Sequence, residues 1–228
     1  MVHVVWGLII TCGKEEQLDS GVDTAFLNLG GKPVLSYAID AFENCPDVDG
    51  IAVVCVKDRM SDVQQMVRLF GYTKIRRIAA GTNLFVTSVK AGLKSFDEMV
   101  SIVVIHEATR PLIRPDIISE TIKSGKRYGC AIVADKIVDP VKIVEKGYTV
   151  ARTSEPNAWV AQSPFCCRLE IFNEALGTTS KDRKSARDFS EAVELCGNEV
   201  RVVPSNPFNF KIRTARDLEV ADSLLRVN

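Results

Sequence analysis

Five short segments of this 228-residue chain hold the side chains best suited to gripping an anion: Thr11-Cys12-Gly13, Gly81 with Ser88, His106-Glu107-Ala108-Thr109-Arg110-Pro111, Asp135 to Lys142, and Asn209-Phe210-Lys211. Each follows a predicted strand or a predicted arm. Ligands of open α/β sheets bind beyond the carboxyl ends of the strands, so topology alone would gather these segments at one edge. Plainer roles stand beside this one. Gly13 and Gly81 also suit turns with positive φ, and Thr87 and Ser88 suit helix capping. Glu107 and Arg110, three apart, suit an ion pair that orients their loop. His106 reads as a satisfied core histidine, and Lys142 and Lys211 also read as solvated lysines.

The elements that must position these residues alternate. Val4 to Thr11 is a continuous apolar, β-branched run, the signature of a strand buried on both faces. A polar loop follows from Cys12 to Asp23. Gly31-Lys32-Pro33 then opens a helical pattern through Leu35, Ala38, Ile39 and Phe42, with Pro33 in the tolerated first turn. Strands are expected at Gly50 to Val56, Ile75 to Ala80, Ser101 to Ile105 and Cys130 to Ala134, and helices at Asp62 to Phe70, Thr87 to Leu93 and Pro115 to Tyr128. This βαβα order implies a parallel sheet with right-handed crossovers.

The rhythm breaks at Val141 to Glu145 and Tyr148 to Arg152, which alternate with period two around Lys146-Gly147 and read as a β-hairpin. Because isolated hairpins are marginal, an arm spanning 136–160 suggests a homodimer. The tail returns to α/β with helices through Ile171 and Leu176, at Phe189 to Leu195 and at Ala215 to Leu225, and a strand at Val200 to Pro204. One domain is expected, carrying the arm as an insertion.

Composition narrows the field further. Lys and Arg total 29 and so do Asp and Glu, so no global field attracts nucleic acid or an anionic membrane, and any anionic ligand must be held by local groups. The seven cysteines include no C-x-x-C pair and read as small core hydrophobes in a reducing cytoplasm. Cys12, bordering the loop, is the one whose reactivity merits a probe. The apolar start is too short to span a bilayer and lacks the basic flank of a signal peptide.

Six landmarks occur in order: Leu8-Ile-Ile-Thr-Cys-Gly13 with Phe26-Leu-Asn-Leu-Gly-Gly-Lys-Pro-Val-Leu35, His106 to Pro111, Asp139-Pro-Val-Lys142, Trp159-Val-Ala-Gln-Ser-Pro164, Asp188 with Cys196-Gly197, and Phe210-Lys211-Ile212 with Asp217-Leu218. Together they resemble the 2-C-methyl-D-erythritol 4-phosphate cytidylyltransferase family and the related ribitol phosphate enzymes over nearly the whole chain. The resemblance implies a Rossmann-like, mostly parallel sheet of the nucleotidyltransferase/glycosyltransferase-A type. It implies transfer of a cytidylyl group from CTP to a polyol phosphate, with release of pyrophosphate and Mg2+ bridging the phosphates. Thr11, Cys12, Gly13, Gly81 and Ser88 are then expected at the nucleotide, and Glu107 as magnesium ligand in place of the family's Asp. Lys211 and Arg110 are expected to act on phosphate, and Asp139 and Lys142 to meet the acceptor, the arm reaching it from a partner subunit. Nucleic acid and membrane are not expected partners.

The departures are all cationic. Where the family carries its loop Arg, the Lys of a Pro-Lys-Gln segment, the Arg of a glycine-arginine segment and an Arg before the Trp, this chain carries Gln17, Thr24, Phe85 and Glu155. Lys14 faces Glu15, Glu16, Asp19 and Asp23, so the loop reads as acidic where a triphosphate needs positive charge. At an effective dielectric of ~20, a like-charge contact near 4 Å costs about 4 kcal/mol before screening. Three functional readings follow: a divergent cytidylyltransferase, a catalytically silent relative that binds a nucleotide or serves as a scaffold, or a nucleotidyltransferase with a different base or sugar.

Overall fold

A computed structural model describes residues 3–13, 16–18, 21–146, 148–153, 157–182 and 188–227, with the backbone alone for 143, 145, 148–153, 178–182 and 227. In chain order the strands and helices are β1 (Val4–Ile10), β2 (Asn28–Leu29), β3 (Lys32–Pro33), α1 (Val34–Glu43), β4 (Gly50–Cys55), α2 (Met60–Phe70), β5 (Ile75–Ala80), α3 (Phe85–Leu93), β6 (Val100–Glu107) and α4 (Pro115–Tyr128). They continue with β7 (Cys130–Lys136), β8 (Val141–Glu145), β9 (Tyr148–Thr153), β10 (Trp159–Arg168), α5 (Leu169–Asp182), α6 (Phe189–Glu194), β11 (Arg201–Pro204) and α7 (Ala215–Val227).

Seven strands form one sheet in the order β11-β7-β10-β6-β1-β4-β5. β1 runs parallel to both β4 and β6, β4 to β5, and β7 to β11. Its apolar run explains the central place of β1: every residue from Val5 to Ile10 except Gly7 packs into one of the two cores flanking the sheet. Gly7 is required there, since a Cβ would lie 2.4 Å from Phe42 of α1.

One strand departs from the expected alternation. β10 lies between β6 and β7 and is antiparallel to both. The sequence carries no strand pattern across 159–168, because Pro164 interrupts it and proline has no N–H for a ladder. The ladder with β7 shifts register between Ala161 and Phe165, and the proline falls inside that irregularity. Phe165, Cys166 and Cys167 then resume the pairing, fully or almost fully buried.

The hairpin forms as the alternation predicts, β8 pairing among the described residues with β9 in a separate two-stranded sheet. It leaves the main sheet after β7 and returns through β10. The cysteines do not all behave as isolated core hydrophobes, because Cys130 of β7 and Cys167 of β10, directly opposite across the ladder, are joined in a disulfide. Cys12, Cys45, Cys55, Cys166 and Cys196 remain free.

Candidate active site at the strand ends

Parallel register puts the carboxyl ends of β1, β4, β5 and β6 at one edge: Ile10 pairs with both Val54 and Glu107, and Cys55 with Ala80. Two side-chain clusters lie there, linked by the chain that leaves β1.

The first cluster holds Thr11, Cys12, Gly81 and Ser88. Thr11 is tied to β4 through its amide and its hydroxyl, both donating to Val54 O at 2.9 and 3.1 Å. Cys12 Sγ donates to Ser88 Oγ at 3.2 Å. Gly81 is where backbone and side chains come closest, since a Cβ would lie 2.3 Å from Cys12 Sγ and 2.8 Å from both Ser88 Oγ and Val54. Ser88 is fully buried inside α3, so neither it nor Thr87 is the helix cap. Its hydroxyl instead holds the preceding loop, accepting from Thr82 N at 2.9 Å with Thr82 O and Leu84 O as acceptors at 2.9 and 3.0 Å. Burial pushes the Cys12 thiol up, outweighing the Ser88 hydrogen bond. A reactive thiolate is therefore not what this environment favours.

The second cluster is ionic. Glu107 Oε1 accepts from Lys211 Nζ at 2.7 Å and Glu107 Oε2 from Arg110 Nε at 2.6 Å. Arg110 also donates to Asn209 O at 2.9 Å, fastening the β6 turn to the segment that carries Lys211. Burial drives the Glu107 carboxyl up, yet Arg110 and Lys211 outweigh it and hold it near 2. The ion pair expected as a plain role of Glu107 and Arg110 is thus present, with Lys211 added. Lys211 is not solvated: burial would lower its ammonium, but Glu16 and Glu107 raise it.

His106 is fully buried behind this turn. Glu107 N donates to Ser163 Oγ, Ser163 Oγ lies 3.1 Å from His106 Nδ1, and His106 Nε2 lies 3.1 Å from Arg110 O. A carbonyl only accepts, so Nε2 carries the proton and Nδ1 receives the serine hydroxyl. Burial depresses the imidazole to about 4.

The acidic loop behaves differently from its sequence. Glu16 turns inward and is fully buried, with Oε1 2.6 Å from Lys211 Nζ and Oε2 accepting from Thr109 Oγ1 at 2.8 Å. Asp23 meets Gln17 Nε2 at 3.3 Å and Arg59 Nε at 3.5 Å. These two carboxylates therefore do not stand as uncompensated charge facing a ligand. Lys14, Glu15 and Asp19 lie outside the described residues, as does Glu155. At the remaining departures, Thr24 is fully buried and Phe85 stacks on Phe189 with ring centroids 5.2 Å apart. Asp139 and Lys142 are exposed on and before the hairpin. Nothing in the sequence singles out Thr109 or Ser163, and Glu16 reads there only as part of the acidic loop.

Residues 5–227 match the family described as 2-C-methyl-D-erythritol 4-phosphate cytidylyltransferase, IspD. A protein of that name from Desulforamulus reducens is 31% identical over 222 residues, covering 96% of this chain and 94% of its own. One from Geobacter metallireducens is 30% identical over 226 residues, covering 97% of each. The crystal structure of 4-diphosphocytidyl-2C-methyl-D-erythritol synthase from Anaerococcus prevotii superposes with a TM-score of 0.87 at 23% identity, covering 98% of this chain and 96% of that one. A Francisella tularensis 2-C-methyl-D-erythritol 4-phosphate cytidylyltransferase gives 0.80 at 24% identity, covering 96% and 99%. Those likenesses carry the fold, and the match across residues 5–227 carries the rest: the chain belongs to the 2-C-methyl-D-erythritol 4-phosphate cytidylyltransferase family.

Proposed function

We propose that this protein transfers the cytidylyl group of CTP to a polyol phosphate, with 2-C-methyl-D-erythritol 4-phosphate the first acceptor to try. An acceptor phosphate oxygen attacks the α-phosphorus, the bond from that phosphorus to the bridging oxygen of the β-phosphate breaks, and pyrophosphate leaves. The observation that carries the reading is the joining of the two clusters through one loop at the strand ends, within a chain of this family.

In this reading the backbone at Thr11, Cys12, Gly13 and Gly81 receives the nucleoside, and Ser88 supports it by fixing the 82–84 loop. Lys211 neutralises phosphate, while Arg110 fixes the turn that presents Glu107. Catalysis of such a transfer is positioning and charge stabilisation, with no covalent work for the protein. Asp139 and Lys142 on the arm meet the acceptor. The exposed apolar residues Val138, Val144, Trp159 and Val160 on and beside the hairpin support dimerisation through it. Light scattering after size exclusion tests that: a monomer at micromolar concentration removes the dimer.

Magnesium is also part of the proposal. It commonly takes one or two carboxylates, substrate phosphates and several waters. Glu107 offers one carboxylate, and among the described residues no three Asp, Glu, His or Cys side chains form a cation site. One carboxylate suits an ion brought in by the nucleotide, which would share the Glu107 oxygens with Lys211 and Arg110. The ion would supply charge neutralisation on the phosphates.

The test is release of pyrophosphate from CTP, Mg2+ and the acceptor. No release above the Glu107→Ala level removes the activity for that acceptor. A second reading, the catalytically silent relative, is favoured by one observation: Lys211 is already paired with two carboxylates, while Gln17 and Thr24 bring no charge. A CTP-dependent rise in melting temperature without turnover would select it.

A further inference from the structure

Glu16 is the one carboxylate of the ionic cluster with no part in the proposed reaction. It is fully buried, yet it lies on the loop leaving β1 rather than in either apolar core flanking the sheet. Gly13 has a φ of +133°, which favours glycine, and its carbonyl accepts from Glu16 N at 3.1 Å. Taking a carboxylate out of water costs several kcal/mol unless its partners are well placed. Here the partners are an ammonium at 2.6 Å and a hydroxyl at 2.8 Å, a donor pair that would serve a phosphate oxygen equally well.

Charge arithmetic gives the consequence. Glu16, Glu107, Arg110 and Lys211 sum to zero, and without Glu16 the same cluster carries one net positive charge. Lys211 cannot give its full charge to a polyphosphate while Glu16 holds it. Burial pushes the Glu16 carboxyl up to about 7, against the pull of Lys211, so it holds its negative charge less firmly than a solvated carboxylate would.

We propose that Glu16 is a positioning residue that acts through Lys211: it occupies the Lys211 and Thr109 donors and competes with a polyphosphate ligand for them. The proposal rests on Lys211 being a phosphate-binding group, as in the proposed reaction. Glu16 thereby sets how tightly a polyphosphate binds.

The experiment is calorimetric titration of inorganic pyrophosphate into the parent protein and Glu16→Gln. The amide keeps the size and an acceptor for Thr109 while removing the charge. Affinity is expected to rise about tenfold, with KM for CTP falling in parallel and kcat changing far less. In Glu16→Gln/Lys211→Met the gain should vanish, and Glu16→Asp, which restores the charge, should return affinity toward the parent value. Equal or weaker pyrophosphate binding by a folded Glu16→Gln overturns the proposal, and so does a gain that survives loss of Lys211. Should Glu16→Gln fail to fold, Glu16→Ala, which removes the charge and leaves both donors in place, is titrated instead; affinity should again rise, and no rise also overturns it. Tenfold tighter binding with no cytidylyl transfer by either protein would sink the transferase reading alone. Transfer with unchanged binding would sink this inference alone.

Discussion

Lys211 Nζ stands 2.7 Å from Glu107 Oε1, an ion pair joining segments 104 residues apart in the chain. Among the described residues, removing the ammonium leaves Glu107 with Arg110 as its remaining charged partner, and Glu16 buried with only the Thr109 hydroxyl. Lys211→Met is therefore expected to lose about 3–5 kcal/mol of stability, the usual result of orphaning a buried charge. It is also expected to lose a hundred- to thousand-fold in kcat, as for one removed electrostatic donor. Urea unfolding and pyrophosphate release read the two effects separately.

Gly81 packs against Cys12 and Ser88 with no room for a side chain. Gly81→Ala should cost about 1–3 kcal/mol by overpacking. Because the tightest approach is to the Cys12 sulfur, Cys12→Ala/Gly81→Ala should recover part of that loss. A strictly additive double variant in thermal melts would count against this packing.

Thr24 is fully buried and its hydroxyl has no hydrogen-bond partner among the described residues. Thr24→Val is expected to be neutral or to stabilise by up to about 1 kcal/mol, since no bond is lost and an unpaired polar group is removed. Thr24→Lys, which would restore the family's charge, should instead lower the melting temperature by burying an ammonium. Gln17 is only half-buried and accepts a cation more readily, so Gln17→Arg alone is the variant expected to raise kcat/KM for CTP.

His106 makes stability depend on pH in a definite direction. Its folded pKa of about 4 lies below the ordinary 6.5, so between these values the unfolded chain binds the proton that the native imidazole refuses. The contribution is complete above pH 6.5 and lost as pH falls toward 4, to a total of roughly 3 kcal/mol. His106→Gln should flatten the fall in melting temperature between pH 7 and 5. An unchanged slope would show that another group is responsible.

Much of the scaffold was legible because its signals are local. The apolar run of β1, the matched bounds of β5 and α4, and the period-two alternation of β8 and β9 each depend on a handful of neighbouring residues. Gly13 takes the positive φ expected of a turn glycine, but Gly81 does not: it is confined to glycine by the approach of Cys12, Ser88 and Val54, which local sequence does not show.

What the sequence determined by itself was the succession of strands and helices apart from β10 and the short β2 and β3, and hence the sheet edge near which Cys12, Gly81, Ser88, Glu107 and Lys211 lie. Tertiary structure alone decided that β10 enters between β6 and β7, that Cys130 faces Cys167, and that the acidic loop sends Glu16 inward to Lys211, 195 residues away. The physical reason is the range of the forces involved. Periodicity and turn chemistry act over a few residues, whereas a buried charge takes whichever counter-ion the folded chain brings within a few ångströms.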